Sequence, residues 1–276
     1  MSLEPGQITE LAAGVRRLLA PNPSMMTGPG TNTYLLGRKE IAVIDPGPAL
    51  PKHIDAIQEL ADGPIKWILV THTHPDHSPA ATLLAKATGA ELFGRPPPKG
   101  RNQDQTFEPD HMLVDGTTFE TEEFSLQVMH TPGHASNHLC YLHTGHNLLF
   151  TGDHIINGST VVIDPPDGSM GDYLRSLERL KEISIDAILP GHGEVIDQPQ
   201  EAVDWLINHR LQREKKIIGA LGDQPDSTSR ELVPRVYEDV DEKLHDLAEH
   251  SLLAHLIRLE EELHARMENG RWRLTK

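Results

Sequence analysis

Cysteine occurs once in the 276 residues, at Cys140. That excludes an internal disulfide framework and suits a reducing compartment, so a cytoplasmic location is expected. Cys140 lies in the run His138-Leu139-Cys140-Tyr141-Leu142, a strand candidate in which a buried, inert thiol is expected. No stretch approaches the roughly eighteen apolar residues that span a bilayer, so no membrane association is expected. The first residues lack a basic segment followed by an apolar core, and no secretory leader is expected. Basic residues are scarce: 25 Lys and Arg stand against 41 Asp and Glu, a formal net charge of −16. That balance argues against duplex DNA as a partner, because such binding needs basic surface to displace counterions. It leaves room for a local cationic groove.

A hydrophobic content of 37% and a charged content of 24% fit a soluble globular chain, long enough for one large domain or one large and one small. Its densest chemistry is His72-Thr73-His74-Pro75-Asp76-His77. Before it runs Ile65-Lys66-Trp67-Ile68-Leu69-Val70, which reads as a buried strand. After it, Ser78 as a cap, Pro79 just inside and several alanines read as a helix start. The histidines therefore sit on the turn leaving a strand tip, where α/β proteins place chemistry. Alternation of His72, His74 and Asp76 lets one tight turn aim several ligands into one pocket. Neutral imidazole suits zinc, and a carboxylate oxygen suits zinc, manganese or iron. A solvated histidine-rich loop is the rival reading in a chain with 17 histidines, but strand, turn and helix all fit the metal site.

Around this turn the chain reads as an opening hairpin over residues 22–45, with strands at 34–36 and 41–44, and a helix at 52–60. A short strand at 91–93 leads into a proline-rich loop over 95–110. Strands at 112–114, 118–120, 125–130, 138–142 and 147–150 are spaced as an antiparallel meander. Residues 171–183 carry a helical apolar stripe, and 187–189 form a last strand. The pattern is that of a layered α/β sandwich.

Three further turns repeat the logic of the first. Thr131-Pro132-Gly133-His134, Thr151-Gly152-Asp153 and Pro190-Gly191-His192-Gly193 each follow a strand and place one ligand beside a glycine that permits a tight turn. In this order the motifs resemble the metallo-β-lactamase superfamily. The resemblance implies a four-layer αβ/βα sandwich holding two zinc ions, with manganese or iron as alternatives. It puts His72, His74 and His134 on the first ion, Asp76, His77 and His192 on the second, and Asp153 between them. The bridging aspartate is more similar to the glyoxalase II and RNase Z branches. Asn22-Pro23-Ser24-Met25-Met26-Thr27, Gly30-Thr31-Asn32-Thr33-Tyr34, Gly158-Ser159-Thr160-Val161-Val162 and the C-terminal stretch resemble the β-lactamase-like protein 2 family. Its animal members cleave single-stranded RNA with zinc.

Such a site implies hydrolysis by a hydroxide shared between two metals, with Asp76 orienting it and taking its proton. His138 is expected either to support the metal ligands or to protonate a leaving group. Asp45 can orient a ligand histidine through its second nitrogen. Thr71 and Thr131 read as turn residues, and His154 either as packing or as an added support behind the metal ligands.

Residues 1–203 read as the hydrolase domain and 204–276 as a small C-terminal unit. The latter shows helices over 205–221, 229–237 and 244–263, then an Asn269-Gly270 hairpin turn, an order that resembles a winged helix. It carries 12 Lys and Arg against 15 Asp and Glu, and Glu260-Glu261-Glu262 on its third helix would repel phosphate. The expected substrate is single-stranded RNA, or else an anionic or ester small molecule cleaved by a glyoxalase II-like thioesterase or a related ester or lactone hydrolase. A metal-dependent scaffold is the non-enzymatic rival; it would need one ion, where the hydrolase needs two.

Overall fold

The computed structural model describes residues 3–100 and 102–275. The chain forms two compact units. One draws on the chain up to Thr131, on Asn137–Ser159 and on Ile183–Pro199; the other on Pro132–Ser136, Thr160–Glu182 and the chain from Gln200 onward.

The first unit contains a seven-stranded sheet whose order is that of the chain: β1 (Ile8–Ala12), β2 (Val15–Leu19), β3 (Asn32–Leu36), β4 (Ile41–Ile44), β5 (Ile65–Leu69), β6 (Glu91–Gly94) and β7 (His111–Met112). Pairing is antiparallel through β4 and parallel from β4 onward. Helices α1 (Pro51–Leu60) and α2 (Pro79–Thr88) carry the first two parallel crossovers. A second, five-stranded sheet joins β8 (Thr118–Glu120), β9 (Ser125–His130), β10 (Leu139–His143) and β11 (Leu148–Gly152) as an antiparallel meander. Its last strand, β12 (Ala187–Pro190), runs parallel to β11.

Alternation along β3 and β4 feeds two cores, which is why Tyr34-Leu35-Leu36 and Ile41-Ala42-Val43-Ile44 read as unbroken apolar runs. Tyr34, Leu36, Ala42 and Ile44 meet Leu126, Val128, Tyr141, Phe150 and Leu189 of the second sheet. Leu35, Ile41 and Val43 meet Ile54 and Ile57 of α1 and Ala81 and Leu84 of α2. Each large side chain so buried contributes roughly 1.5–3 kcal/mol. Two phenols tie the sheets together at one end: Tyr34 donates to the Pro190 carbonyl at 2.7 Å, and Tyr141 to the Val70 carbonyl at 2.7 Å.

Three local expectations are corrected. β1 and β2 precede the expected opening hairpin, and Arg16 and Arg17 hid β2 by breaking its apolar pattern. Both are buried: Arg16 donates to the carbonyls of Leu60, Gly37 and Ala61, and Arg17 to Glu194. The strand expected at 112–114 is not the start of the meander. It is β7, hydrogen-bonded to β6 in the first sheet. The helix expected from residue 205 starts at Pro199.

The second unit holds α3 (Met170–Leu180), α4 (Pro199–Asp223), α5 (Ser229–Val236), α6 (His245–Glu261) and the hairpin β13 (Ala265–Glu268) and β14 (Arg271–Leu274). Thr228 and Glu231 form a capping box that starts α5. Asn269 and Gly270 both take positive φ, 51° and 77°, the backbone a two-residue hairpin turn requires. Ile217, Leu221, Leu232, Val236, Leu256 and Trp272 centre a core shared by helices and hairpin, a winged-helix arrangement.

Candidate metal centre

The apolar run of β5 ends at Leu69, and the chain turns through the six-residue motif before α2. Asp45, just after β4, fixes that turn. Its Oδ1 accepts from the Thr71 backbone N–H at 2.7 Å, and its Oδ2 accepts from the Thr71 hydroxyl at 2.7 Å and from His77 Nδ1 at 2.9 Å. Asp45 does this from a left-handed backbone, φ 50°. The bond commits the Nδ1 proton of His77 to Asp45 and leaves Nε2 as the nitrogen able to ligate. Thr71 is thus the turn residue expected, and Asp45 the orienting carboxylate.

His77 Nε2 is buried, forms no hydrogen bond, and points at Asp153 Oδ1 at 3.3 Å and Asp76 Oδ2 at 3.5 Å. His192 repeats the arrangement. Its Nδ1 donates to the Gly30 carbonyl at 3.1 Å, while Nε2 lies 3.1 Å from Asp76 Oδ2 and 3.3 Å from Asp153 Oδ1. Asp76, His77, Asp153 and His192 therefore offer ligand atoms that all lie within 4.8 Å of one another. His72, His74 and Asp153 satisfy the same limit. In that set His72 Nε2 faces His74 Nδ1 at 3.0 Å, and His72 Nδ1 meets the Thr71 hydroxyl at 3.0 Å. Asp153 belongs to both sets, as a bridging carboxylate must.

Small residues make this crowding possible. A Cβ at Gly152 would stand 2.4 Å from Thr71 Oγ1, and one at Gly191 2.8 Å from both Asp153 Oδ1 and the His77 ring. His134 lies in the segment Pro132–Ser136, which clusters with the second unit. There its Nδ1 donates to the Val162 carbonyl at 2.7 Å, which makes Nε2 the nitrogen with the lone pair. His138 is fully buried. Its Nε2 accepts from the Asp153 backbone N–H at 3.2 Å, its Nδ1 meets the Thr131 hydroxyl at 3.0 Å, and its ring stacks on His72 at 4.9 Å. That geometry fits support of the ligands, one of the two roles expected. His154 is buried too, its ring 5.9 Å from that of His138.

The charge balance of the cluster suits a cation. Burial and the neighbouring His77, His74 and His138 hold His72 far below the usual imidazole range, so it is neutral, the form that ligates. Burial would push the Asp153 carboxyl up, but His192 and His77 hold it well below the usual range. Burial would push His77 down, but Asp76, Asp153 and Asp45 raise it. Carboxylates and imidazoles thus converge on a positive charge that protons alone would otherwise supply, and the nitrogen and oxygen donors are those of zinc or a neighbouring first-row metal.

One residue of the surroundings escaped sequence reasoning. Asn137 donates from Nδ2 to Thr73 Oγ1 at 2.8 Å and to the Pro96 carbonyl at 3.3 Å, sewing the 95–110 loop to the metal turn. Its only signal was its place beside His138.

Known proteins share the sequence pattern and the fold. Residues 26–192 match the metallo-beta-lactamase superfamily, and residues 228–272 the beta-lactamase associated winged helix domain. A beta-lactamase-like protein 2 homolog of Drosophila melanogaster is 34% identical, over 95% of this chain and 92% of its own. An atrochrysone carboxyl ACP thioesterase of Aspergillus chevalieri is 34% identical, over 78% of this chain and 68% of its own. The crystal structure of a metallo-beta-lactamase family protein from Thermus thermophilus shares the fold with a TM-score of 0.81 at 23% identity, over 96% of this chain and 100% of that one.

Proposed function

Because the chain belongs to the metallo-beta-lactamase superfamily of hydrolases, we propose that it is a dinuclear zinc hydrolase that cleaves phosphodiester bonds of single-stranded RNA. The observation that carries the dinuclear reading is Asp153, common to both ligand sets. His72 and His74 would hold one ion, joined by His134 from the sequence pattern. Asp76, His77 and His192 would hold the other. Manganese or iron would satisfy the same donors. Two such ions, when bound, acidify a water to near neutrality and polarise the scissile oxygen.

The protein's own groups then divide the work. Asp76 retains 25% side-chain exposure against 13% for Asp153, so it can face the attacking water and take its proton. Asp45 holds His77 in one tautomer and orientation. His138 fixes the backbone of Asp153. RNA as substrate is supported by likeness to the beta-lactamase-like protein 2 homologs, which extends through the C-terminal unit. Duplex DNA is not expected. The single buried thiol favours the cytoplasm, and no helix among the described residues is long and apolar enough to cross a membrane.

A thioesterase is the second reading. It is favoured by the net charge of −16, unsuited to polyanions, and by relatives named as thioesterases. The deciding experiment offers a labelled single-stranded RNA oligomer to zinc- or manganese-loaded protein, with Asp76→Ala beside it. Cleavage by the wild type alone supports the RNA reading. If neither protein cuts while two ions are bound, RNA is abandoned and thioesters, esters and lactones are tried with the same pair.

A further inference from the structure

The loop between β6 and β7 is sewn to the metal turn. Besides the two bonds from Asn137, the Asp104 backbone N–H donates to the Thr73 carbonyl at 2.6 Å, the Thr73 hydroxyl to Gln103 Oε1 at 2.5 Å, and the Ser78 hydroxyl to Asp104 Oδ2 at 2.8 Å. Thr73 sits between His72 and His74, so the loop is fixed at the centre of the motif.

Arg95 opens this loop. β5 and β6 pair with Leu69 opposite Phe93, and the Val70 N–H donates to the Phe93 carbonyl at 3.0 Å. The paired register ends there, and Thr71 and Arg95 each lie two residues beyond it, leaving neighbouring strand ends that stand one strand spacing apart. The bonds from Asn137 to Thr73 and Pro96 show that the two chains remain side by side beyond the strands.

Arg95 is half-buried. Other arginines of the chain are engaged: Arg16, Arg17, Arg38, Arg213, Arg258 and Arg271, for example, all stand in ion pairs. Among the described residues, Arg95 alone of the arginines forms no ion pair, hydrogen bond or ring contact. Lys52, Lys66 and Lys86 also lack an ion pair among the described residues but are exposed to water; Arg95 is partly buried and still without a partner. A partly desolvated guanidinium presents a fork matched to carboxylate or phosphate oxygens.

We propose that Arg95 binds an anionic group of the substrate next to the scissile bond, making it a specificity-determining residue. The inference deepens the hydrolase reading and rests on it for the word substrate. The anion is an oxyanion, from either a neighbouring phosphate of an RNA strand or a carboxylate of an acyl substrate.

Binding, not turnover, tests this. Zinc-loaded wild type, Arg95→Gln, Arg95→Lys and the surface control Lys52→Gln are titrated calorimetrically with two pairs of probes. One pair is methyl phosphate and uridine 3′,5′-bisphosphate; the other is propionate and succinate. The second anionic group is expected to raise wild-type affinity roughly tenfold or more in one pair. That gain should vanish in Arg95→Gln, return in part in Arg95→Lys, and persist in Lys52→Gln. A gain in the bisphosphate pair assigns the anion to a nucleic-acid strand; a gain in the succinate pair assigns it to an acyl substrate. The proposal is overturned if neither second anion adds affinity to the wild type, if Arg95→Gln keeps the gain, or if Lys52→Gln loses it equally. Turnover is scored separately: Arg95-dependent binding without hydrolysis of RNA, thioester or ester would sink the hydrolase reading and leave the anion site standing.

Discussion

At the tips of β5, β11 and β12 the first unit gathers Asp76, His77, Asp153 and His192 so that acceptors face acceptors. The second unit buries charge as well, but closes it on itself. Glu214 takes both carboxylate oxygens to Arg258 Nη1 at 2.6 Å and accepts from His255 Nδ1 at 3.2 Å. Burial raises the Glu214 carboxyl, yet the hydrogen bonds from His255 and Arg258 hold it below the usual range. Arg213 pairs with Asp239 at 2.7 and 3.2 Å and lies over the Tyr237 ring at 4.2 Å. Both clusters bear the desolvation cost of buried charge. The second offsets it with guanidiniums that are always charged, which hold helices together; the first offsets it only with imidazoles, whose charge depends on a proton that a cation can replace. The first has a surplus of ligand atoms, and that surplus is what marks it as a site.

The sharpest way to break this contrast is to remove the shared carboxylate. Asp153→Asn keeps the volume and deletes the bridging charge. Metal content should fall from two ions to one or none, and kcat/KM on whichever substrate is cleaved should drop on the order of 10³-fold or more, because the ions supply several kcal/mol of charge stabilisation. The C-terminal unit should melt as before. Retention of two ions, read by elemental analysis, would show that Asp153 does not bridge. Glu214→Ala is the converse. It leaves Arg258 with Glu262 alone, at 2.8 Å, and His255 Nδ1 without its acceptor, and should lower stability to denaturant by about 1–3 kcal/mol while two ions still bind. A Glu214→Leu, Arg258→Met double variant, which removes both charges, should recover most of that loss.

The first cluster was legible in the sequence because it is built from local motifs. His72, His134, Asp153 and His192 each follow an apolar strand and stand beside a residue that turns the chain, so residue type and local geometry coincide. The closed cluster was not legible. Glu214 and Arg258 lie 44 residues apart on α4 and α6, each indistinguishable in sequence from a solvated helix face. β2 was missed on similar grounds, since the carbonyls that accept from Arg16 come from Gly37 and the end of α1. β7 was assigned to the wrong sheet because pairing partners are set by tertiary register. Asp45 could be named as an orienting residue, but its left-handed backbone and its hold on Thr71 belong to the folded chain. Arg95 carried no signal at all, because being unpaired is a property only coordinates have.

A gentler perturbation asks whether the surplus in the first cluster needs orientation as well as charge. Asp45→Asn leaves every ligand in place but weakens the acceptor for His77 Nδ1. Outer partners of this kind are worth about 10–100-fold in metal affinity. The weaker of the two ions should therefore be lost first in a competitive chelator titration, with the other unchanged. If both ions keep their wild-type affinity, orientation of His77 is secured by packing alone.

The smallest expected effect separates the two clusters by pH. In the second unit, burial and the guanidiniums of Arg210 and Arg213 push His209 down to about 4. Its folded-state pKa is thus below the unfolded value near 6.5, and the unfolded chain takes up the proton first as pH falls. Stability from this group is fully present above about pH 6.5 and is lost between 6.5 and 4. His209 is only partly buried, its ring stacked 5.2 Å from the exposed Trp205, so solvent screening limits the loss to about 1 kcal/mol or less. Metal release confounds the same window, because protons compete for ligand imidazoles. The comparison is therefore made on chelator-treated protein, where His209→Gln should flatten the denaturation midpoint between pH 6.5 and 4 relative to wild type. An unchanged slope would show that His209 is not the acid-sensitive group and would pass that role to His53, which burial also pushes down to about 4.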